Sequence, residues 1–286
     1  MKLDINVERQ PLPDMIVVGL QEVHVSPKNL FKLSSSDDWS KRLQNALYSS
    51  GYVKIARHRM QGMVILAFGK PEFTEPLANI KESSVATGIN GWFGNKGGVG
   101  VSFEYNGKKV ALINAHFHPH DNMYESRLND FHQISSRMKF KLPVLKHDLV
   151  YWFGDLNFRI DQFTIEEVLR LVNDPNNQTI SHLLKHDQLN RARREGQAFA
   201  EFVEMPISFL PSYKFQNPND EYSYQRKPAF TDRILYKLRH DDTNHSAITV
   251  KQENYDMRRE FSTSDHKPVS ALFLVDFDGP SPAPPA

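Results

Sequence analysis

Unbroken apolar runs, rather than alternating ones, dominate the hydrophobic pattern of this chain. In the first half they are Met15-Ile16-Val17-Val18-Gly19-Leu20, Gly62-Met63-Val64-Ile65-Leu66-Ala67-Phe68, Gly98-Val99-Gly100-Val101-Ser102-Phe103 and Lys109-Val110-Ala111-Leu112-Ile113-Asn114. Later come Leu149-Val150-Tyr151-Trp152-Phe153, Arg233-Ile234-Leu235-Tyr236 and Val269-Ser270-Ala271-Leu272-Phe273-Leu274-Val275. Short apolar runs bounded by polar turns predict strands buried on both faces. Helical spacing lies between some of them. Trp39, Leu43 and Leu47 are four apart, behind Ser36 and Asp37 as caps and before Gly51 as a stop. Thr164-x-x-Glu167 reads as a capping box opening a helix through Val172. A polar helix is predicted around Lys185 to Glu204.

No repeat and no internal linker interrupts this series. It predicts one domain over residues 1–278, with two sheets face to face and helices outside. Residues 279–286 are Pro-rich and are expected to be a disordered tail. The chain has no cysteine, which excludes disulfides, thiolate nucleophiles and Cys-based zinc sites and fits a cytoplasmic protein. No apolar signal core opens the sequence, and no window approaches the ~18 apolar residues of a membrane span. Lys+Arg is 35 against Asp+Glu 34, so bulk charge gives no reason to expect nucleic acid as a partner.

The ends of the apolar runs carry the chemistry. Gln21-Glu22 follows Leu20, Asn114-Ala115-His116 follows Ile113, and Gly154-Asp155-Leu156-Asn157 follows Phe153. Asp232 precedes the Arg233 run, and Ser264-Asp265-His266 precedes the last one. In an extended segment Asp155 and Asn157 would point to one side. A carboxylate could take a proton from water there, and an amide could donate to a phosphoryl oxygen. A simple Asx turn is the competing explanation. Glu22 could serve as an oxygen ligand for Mg²⁺. The run His116-Phe117-His118-Pro119-His120 invites a zinc assignment, but with no Cys and no partner spacing His118 and His120 read as loop residues. Asp232 could accept from His266 and fix its tautomer.

Gly91-Trp92-Phe93-Gly94-Asn95-Lys96-Gly97-Gly98 allows close backbone approach to a ligand, with Lys96 as a point charge. It is not a nucleotide P-loop, because the Lys precedes the second Gly pair and a strand follows. Ile89, Trp92 and Phe93 beside Lys96 suit the edge of a bilayer. Tyr213-Lys214, Arg226-Lys227 and Arg233 form a local basic cluster.

Five of these segments, in order, resemble the inositol polyphosphate 5-phosphatase family of the endonuclease/exonuclease/phosphatase superfamily. They are Gly19-Leu20-Gln21-Glu22, Gly94-Asn95-Lys96-Gly97-Gly98-Val99, Trp152-Phe153-Gly154-Asp155-Leu156-Asn157-Phe158-Arg159, Pro228-Ala229-Phe230-Thr231-Asp232-Arg233-Ile234-Leu235 and Ser264-Asp265-His266-Lys267-Pro268-Val269. Met60-Gln61-Gly62-Met63 and Arg226-Lys227-Pro228 suggest the branch of the skeletal muscle and kidney enriched inositol phosphatase.

The resemblance implies an α+β fold, the DNase-I-like four-layer α/β/β/α sandwich with mostly antiparallel sheets. It implies Mg²⁺-dependent hydrolysis of the 5-phosphate of phosphoinositides, and of soluble inositol polyphosphates, by in-line water. In that scheme Glu22 binds Mg²⁺ and Asp155 orients or deprotonates the water. Asn157 and His266 hold the scissile phosphate and Asp232 positions His266. His116 and Asp265 complete the phosphate and metal environment. Tyr213, Lys214 and Arg226 match positions for the 4-phosphate, Asn95 and Lys96 those near the 1-phosphate. Ile89 to Phe93 match the loop that meets lipid, which implies a monomer acting peripherally at plasma membrane or endomembranes.

Two departures bear on activity. Tyr224 stands where many members carry a Lys, which would cost about 1.5–3 kcal/mol of substrate binding. The family's first strand, ending Trp-Asn-Val, has no counterpart here, since Asn6 lies too close to the Met15 run. Impaired metal binding and folding are expected from that loss. A catalytically impaired phosphoinositide-binding module and a nuclease of the same superfamily are the alternatives.

Overall fold

Two sheets stack because one strand series has to be buried from both sides. In the computed structural model, which describes residues 12–23, 38–88, 95–176, 178–216, 220–239 and 248–278, β3 (Met63–Gly69) is buried at every position. Met63, Ile65 and Ala67 face the core between the sheets, while Val64, Leu66 and Phe68 face outward onto Leu47 and Tyr52. Alternate side chains therefore enter two different cores, which is why the run is continuously apolar. β3 lies between β1 (Met15–Leu20) and β2 (Val53–Met60), antiparallel to both.

The facing sheet has five strands in the order β4 (Leu77–Ala86), β5 (Gly97–Tyr105), β6 (Lys108–His116), β7 (Leu149–Asp155) and β8 (Asp232–Leu238). Its pairs are antiparallel except β6 with β7, which run parallel. That parallel pair requires a crossover, and α3 (Tyr124–Arg137) supplies it. α3 packs Leu128, Phe131 and Ile134 on the outer face of this sheet, against Ile113, Trp152 and Leu235. α1 (Asp38–Ser49) covers the outer face of the other sheet through Leu47. The layers are thus helix, sheet, sheet, helix, as the resemblance implied.

α2 (Pro71–Thr74) is a single turn. α4 (Ile165–Asn173) opens on the expected capping box, with both Thr164 and Glu167 contacts formed. The polar helix predicted over Lys185 to Glu204 is instead two short ones, α5 (Thr179–Lys185) and α6 (Gln188–Arg194). Asp187 separates them as N-cap of α6, its carboxylate accepting from Asn190 N at 3.0 Å. β9 (Thr249–Met257) and β10 (Val269–Asp276) form a two-stranded ribbon against β8. Among the described residues no strand pairs the outer edge of β1 or β10, so the second sheet is in two pieces. Asn6, the Ile89 to Phe93 loop and the tail 279–286 lie outside the described residues.

Candidate active site

The strand register puts three of the motif segments and His116 in one row. Gly97 opposes His116, His116 opposes Asp155, and Asp155 opposes Asp232 across β5, β6, β7 and β8. The turn that aims Asp155 depends on Gly154, which has φ +125°; a Cβ there would lie 2.2 Å from Ala115 O. Glu22 arrives from the other sheet. Asn114, fully buried on β6, donates to Leu20 O (3.1 Å) and Val64 O (2.9 Å) and accepts from Gln21 Nε2 (2.5 Å). It ties the end of β1 to the end of β6, and Glu22 follows directly.

His116 Nε2 is the meeting point of this half of the site. It lies 3.2 Å from Asp155 Oδ2 and 3.8 Å from Glu22 Oε1, and it contacts Lys96 Nζ. Lys96 is buried; burial lowers its hold on a proton, opposed by Asp155 and Glu22. Burial would raise the Asp155 carboxyl, but the His116 hydrogen bond and the charges of His266 and Lys96 outweigh it. The group is held well below the usual carboxylate range. Such a carboxylate is a weak proton acceptor and a strong hydrogen-bond acceptor, suited to orienting water.

Asn157 does not share a side with Asp155 through extended backbone. β7 ends at Asp155 and Asn157 has φ +54°. The two side chains meet through the turn instead. Asn157 N donates to Asp155 Oδ1 and Nδ2 to Oδ2, both at 3.0 Å. Nδ2 also donates to Phe117 O at 3.0 Å, while Oδ1 accepts from the Arg159 guanidinium. In this arrangement the amide braces the carboxylate.

The other half of the site is a His–Asp pair. His266 Nδ1 lies 2.9 Å from Asp232 Oδ2, which also accepts from Ser212 Oγ (2.7 Å) and Thr231 Oγ1 (2.9 Å). Burial would lower His266, but Asp232 and Asp155 raise it to about 9. Buried Lys267 anchors the segment by donating to Arg259 O and Phe261 O, and its backbone N donates to Ser212 O. Tyr213 packs against the His266 ring at a tilt, with centroids 4.5 Å apart. Lys214 pairs with Asp265 at 2.8 Å; burial would raise Asp265, and this contact holds it down. Lys214 and Asp265 line an open cleft of about 500 Å³ with Ser223, Tyr224 and Gln225. Arg226 and Asn95 are exposed.

The carboxylates fit a hard divalent cation, which takes oxygen ligands and keeps several waters. Asp155, Asp232 and His266 offer ligand atoms within 4.8 Å of one another. Asp232 Oδ2 already accepts three hydrogen bonds, whereas Glu22 is 78% exposed and has free lone pairs. Glu22 is therefore the carboxylate best able to hold a hydrated ion, with Asp155, which already accepts from Asn157 and contacts His116, beside it. Arg159, Ser212 and Thr231 are site-building residues that strand-end reasoning missed, whereas Asn114 stood at a strand end without an assigned role. Of the three, Arg159 and Thr231 had a signal, being inside motifs.

The model of the endonuclease/exonuclease/phosphatase family 2 matches residues 2–272. A rat phosphatidylinositol 4,5-bisphosphate 5-phosphatase A is 37% identical over 92% of this chain and 28% of its own length. A mouse inositol polyphosphate 5-phosphatase K is 35% identical over 93% of this chain and 60% of its own. The chain thus spans little more than a quarter of the first relative and well under two thirds of the second. Identities this similar do not single out one branch. Among solved structures, the inositol polyphosphate 5-phosphatase domain of a synaptojanin, in complex with inositol (1,4)-bisphosphate and calcium ion, superposes with TM-score 0.78 and 30% identity. It covers 95% of this chain and 78% of that one. A Cimex nitrophorin matches with TM-score 0.72 at 24% identity over 92% of this chain and 88% of its own, a likeness of fold alone. The chain belongs to the endonuclease/exonuclease/phosphatase family and, within it, to the inositol polyphosphate 5-phosphatases.

Proposed function

We propose that this chain hydrolyses the 5-phosphate of phosphoinositides, and of soluble inositol polyphosphates, with Mg²⁺ as cofactor. The observation that carries this is the single row of His116, Asp155 and Asp232 with His266 at the same sheet edge. Phosphoryl transfer needs fixed donors around the equatorial oxygens, a positive charge and an in-line water, and no covalent nucleophile. Protonated His266 donates to a phosphoryl oxygen, with Asp232 behind it. Asp155 accepts a hydrogen bond from the attacking water and sets its direction. Lys96, in contact with His116, adds positive charge from the other side. Bound at Glu22 and Asp155, Mg²⁺ would supply charge neutralisation of the phosphoryl oxygens. Lys214 and Arg226 suit a second phosphate on the ring, and the cleft of about 500 Å³ beside them is large enough for the ring. The inositol (1,4)-bisphosphate in the synaptojanin domain is what loss of a 5-phosphate from the 1,4,5-trisphosphate leaves, which supports the reading.

The test is phosphate release from phosphatidylinositol 4,5-bisphosphate in vesicles, beside phosphatidylinositol 4-phosphate, with Mg²⁺ and with EDTA. Release from the first lipid alone, abolished by EDTA, is expected. Equal release from both, or none from either, counts against it. Vesicle co-sedimentation without turnover would favour a phosphoinositide-binding module instead. Peripheral action at a cytoplasmic membrane surface belongs to the same proposal.

A further inference from the structure

Between the two loops that carry the site lies a buried side chain that no motif contains. Gln188 is the first residue of α6 and is 2% exposed. Its backbone N donates to Arg159 O at 2.9 Å, and its Oε1 accepts from Arg159 N at 3.0 Å. The Arg159 backbone is thus gripped on both its donor and its acceptor. The same Oε1 accepts from Arg127 at 2.5 Å, and Nε2 donates to Asp161 Oδ1 at 2.7 Å. Donors on one side and a carboxylate on the other fix the orientation of the amide.

Arg127, fully buried on α3, continues the line. Its guanidinium donates to His118 O (3.1 Å) and His120 O (2.7 Å), in the loop leaving His116. At the other end Arg159 donates from Nε to Asn157 O at 3.0 Å and from its terminal nitrogen to Asn157 Oδ1. Its guanidinium also sits over the Tyr213 ring at 4.8 Å, and that ring packs against His266. A continuous chain of buried polar contacts therefore runs from the His116 loop through Arg127, Gln188 and Arg159 to Asn157 and Asp155. Each link is a donor facing an acceptor, and Gln188 hydrogen-bonds to both arginines.

We propose that Gln188 is a positioning residue, one that sets the geometry of Asp155 through Arg159 and Asn157. It touches neither substrate nor reacting atoms. Removing its amide would leave the Arg159 N–H without its acceptor, loosen the Asn157 amide and let the Asp155 carboxylate swing. Displacements of about 1 Å at a reacting group can cost ~100-fold in rate. A packing role alone would lower stability without changing turnover by folded molecules.

The inference rests on the 5-phosphatase reading only for its kinetic arm. In that arm Gln188→Asn, which retracts the amide by one methylene, is compared with wild type. It is expected to lower kcat about 10-fold or more with KM within twofold. In an Asn157→Ala background Gln188→Asn should cost less than twofold further, because both act through one contact. Equal losses in the two backgrounds, or an unchanged kcat while wild type is active, overturn the proposal. The second arm needs no turnover. Hydrogen exchange of the Asn157 side-chain amide, followed by NMR, should be at least about 10-fold faster in Gln188→Asn if the amide is loosened. An unchanged exchange rate overturns the proposal whether or not the chain hydrolyses phosphoinositides.

Discussion

His266 Nδ1 and Asp232 Oδ2 lie 2.9 Å apart, and the carboxylate oxygen in that contact also takes the hydroxyls of Ser212 and Thr231. A carboxylate so fully bonded is fixed in place. It therefore fixes the imidazole and leaves Nε2 as the working nitrogen. It also makes His266 a cation at neutral pH.

This sets a pH dependence. The folded-state value of about 9 exceeds the ordinary 6.5. The imidazolium is thus favoured by folding. Its contribution is fully present below about pH 6.5 and is lost as pH rises through about 9. The plot of kcat/KM against pH should fall on its basic side near 9. Asp232→Asn, which removes the largest attraction, should move that fall toward neutrality by about 1–3 units.

Loss of the cation ligand should be visible apart from loss of the fold. Glu22→Gln is expected to raise the Mg²⁺ concentration for half-maximal rate by at least the roughly 10–100-fold typical of a group beside a metal. Its melting temperature should match wild type, since Glu22 is 78% exposed. A titration of rate against Mg²⁺, with a melt of each protein, checks both.

Gly154→Ala should damage stability and rate together. The Cβ would collide with Ala115 O at 2.2 Å in a backbone with φ +125°. Strained backbone alone costs about 1–3 kcal/mol, and the clash adds to it. Relief by backbone shift would displace Asp155, the next residue, so kcat should fall as well. Urea unfolding and steady-state kinetics on one preparation measure the two effects.

Arg233→Met separates stability from catalysis. Arg233 is fully buried and pairs with Asp187 at 2.9 Å and with Glu204 at 2.7 Å, where Tyr255 also donates to Glu204 at 2.9 Å. Removing it leaves buried Asp187 without its cation and Glu204 with Arg193 at 3.6 Å, at a cost of about 3–5 kcal/mol. The loss should appear in urea unfolding, while KM per folded molecule changes little.

What the sequence disclosed follows from burial. β3, β6 and β7 were legible because both their faces enter cores, so their runs are unbroken. β2, β4 and β9 were not. Arg57 and Arg59 interrupt β2, Lys81 and Glu82 interrupt β4, and Lys251 and Glu253 interrupt β9, where faces meet solvent or polar partners. α3 was missed because its buried side carries Arg127 and Asp130 among Leu128, Phe131 and Ile134, which masks the apolar stripe. At the site, strand ends gave Glu22, His116, Asp155 and Asp232. Their register across β5 to β8 depends on long-range pairing that no local pattern encodes. Period-two reasoning failed at Asn157 because the chain turns at Gly154 and again at Asn157 itself. Nothing in the segment of Lys96 signals its contact with His116.

The most direct test is single-turnover release of phosphate from a 5-phosphorylated inositol lipid by wild type, Asp155→Asn, His116→Ala and His266→Ala, all confirmed folded. If the row at the sheet edge is the hydrolytic centre, wild type releases the 5-phosphate and each variant falls by about 100-fold or more. Release by Asp155→Asn within a few-fold of wild type would contradict it, because the residue joining both halves of the site would then be dispensable.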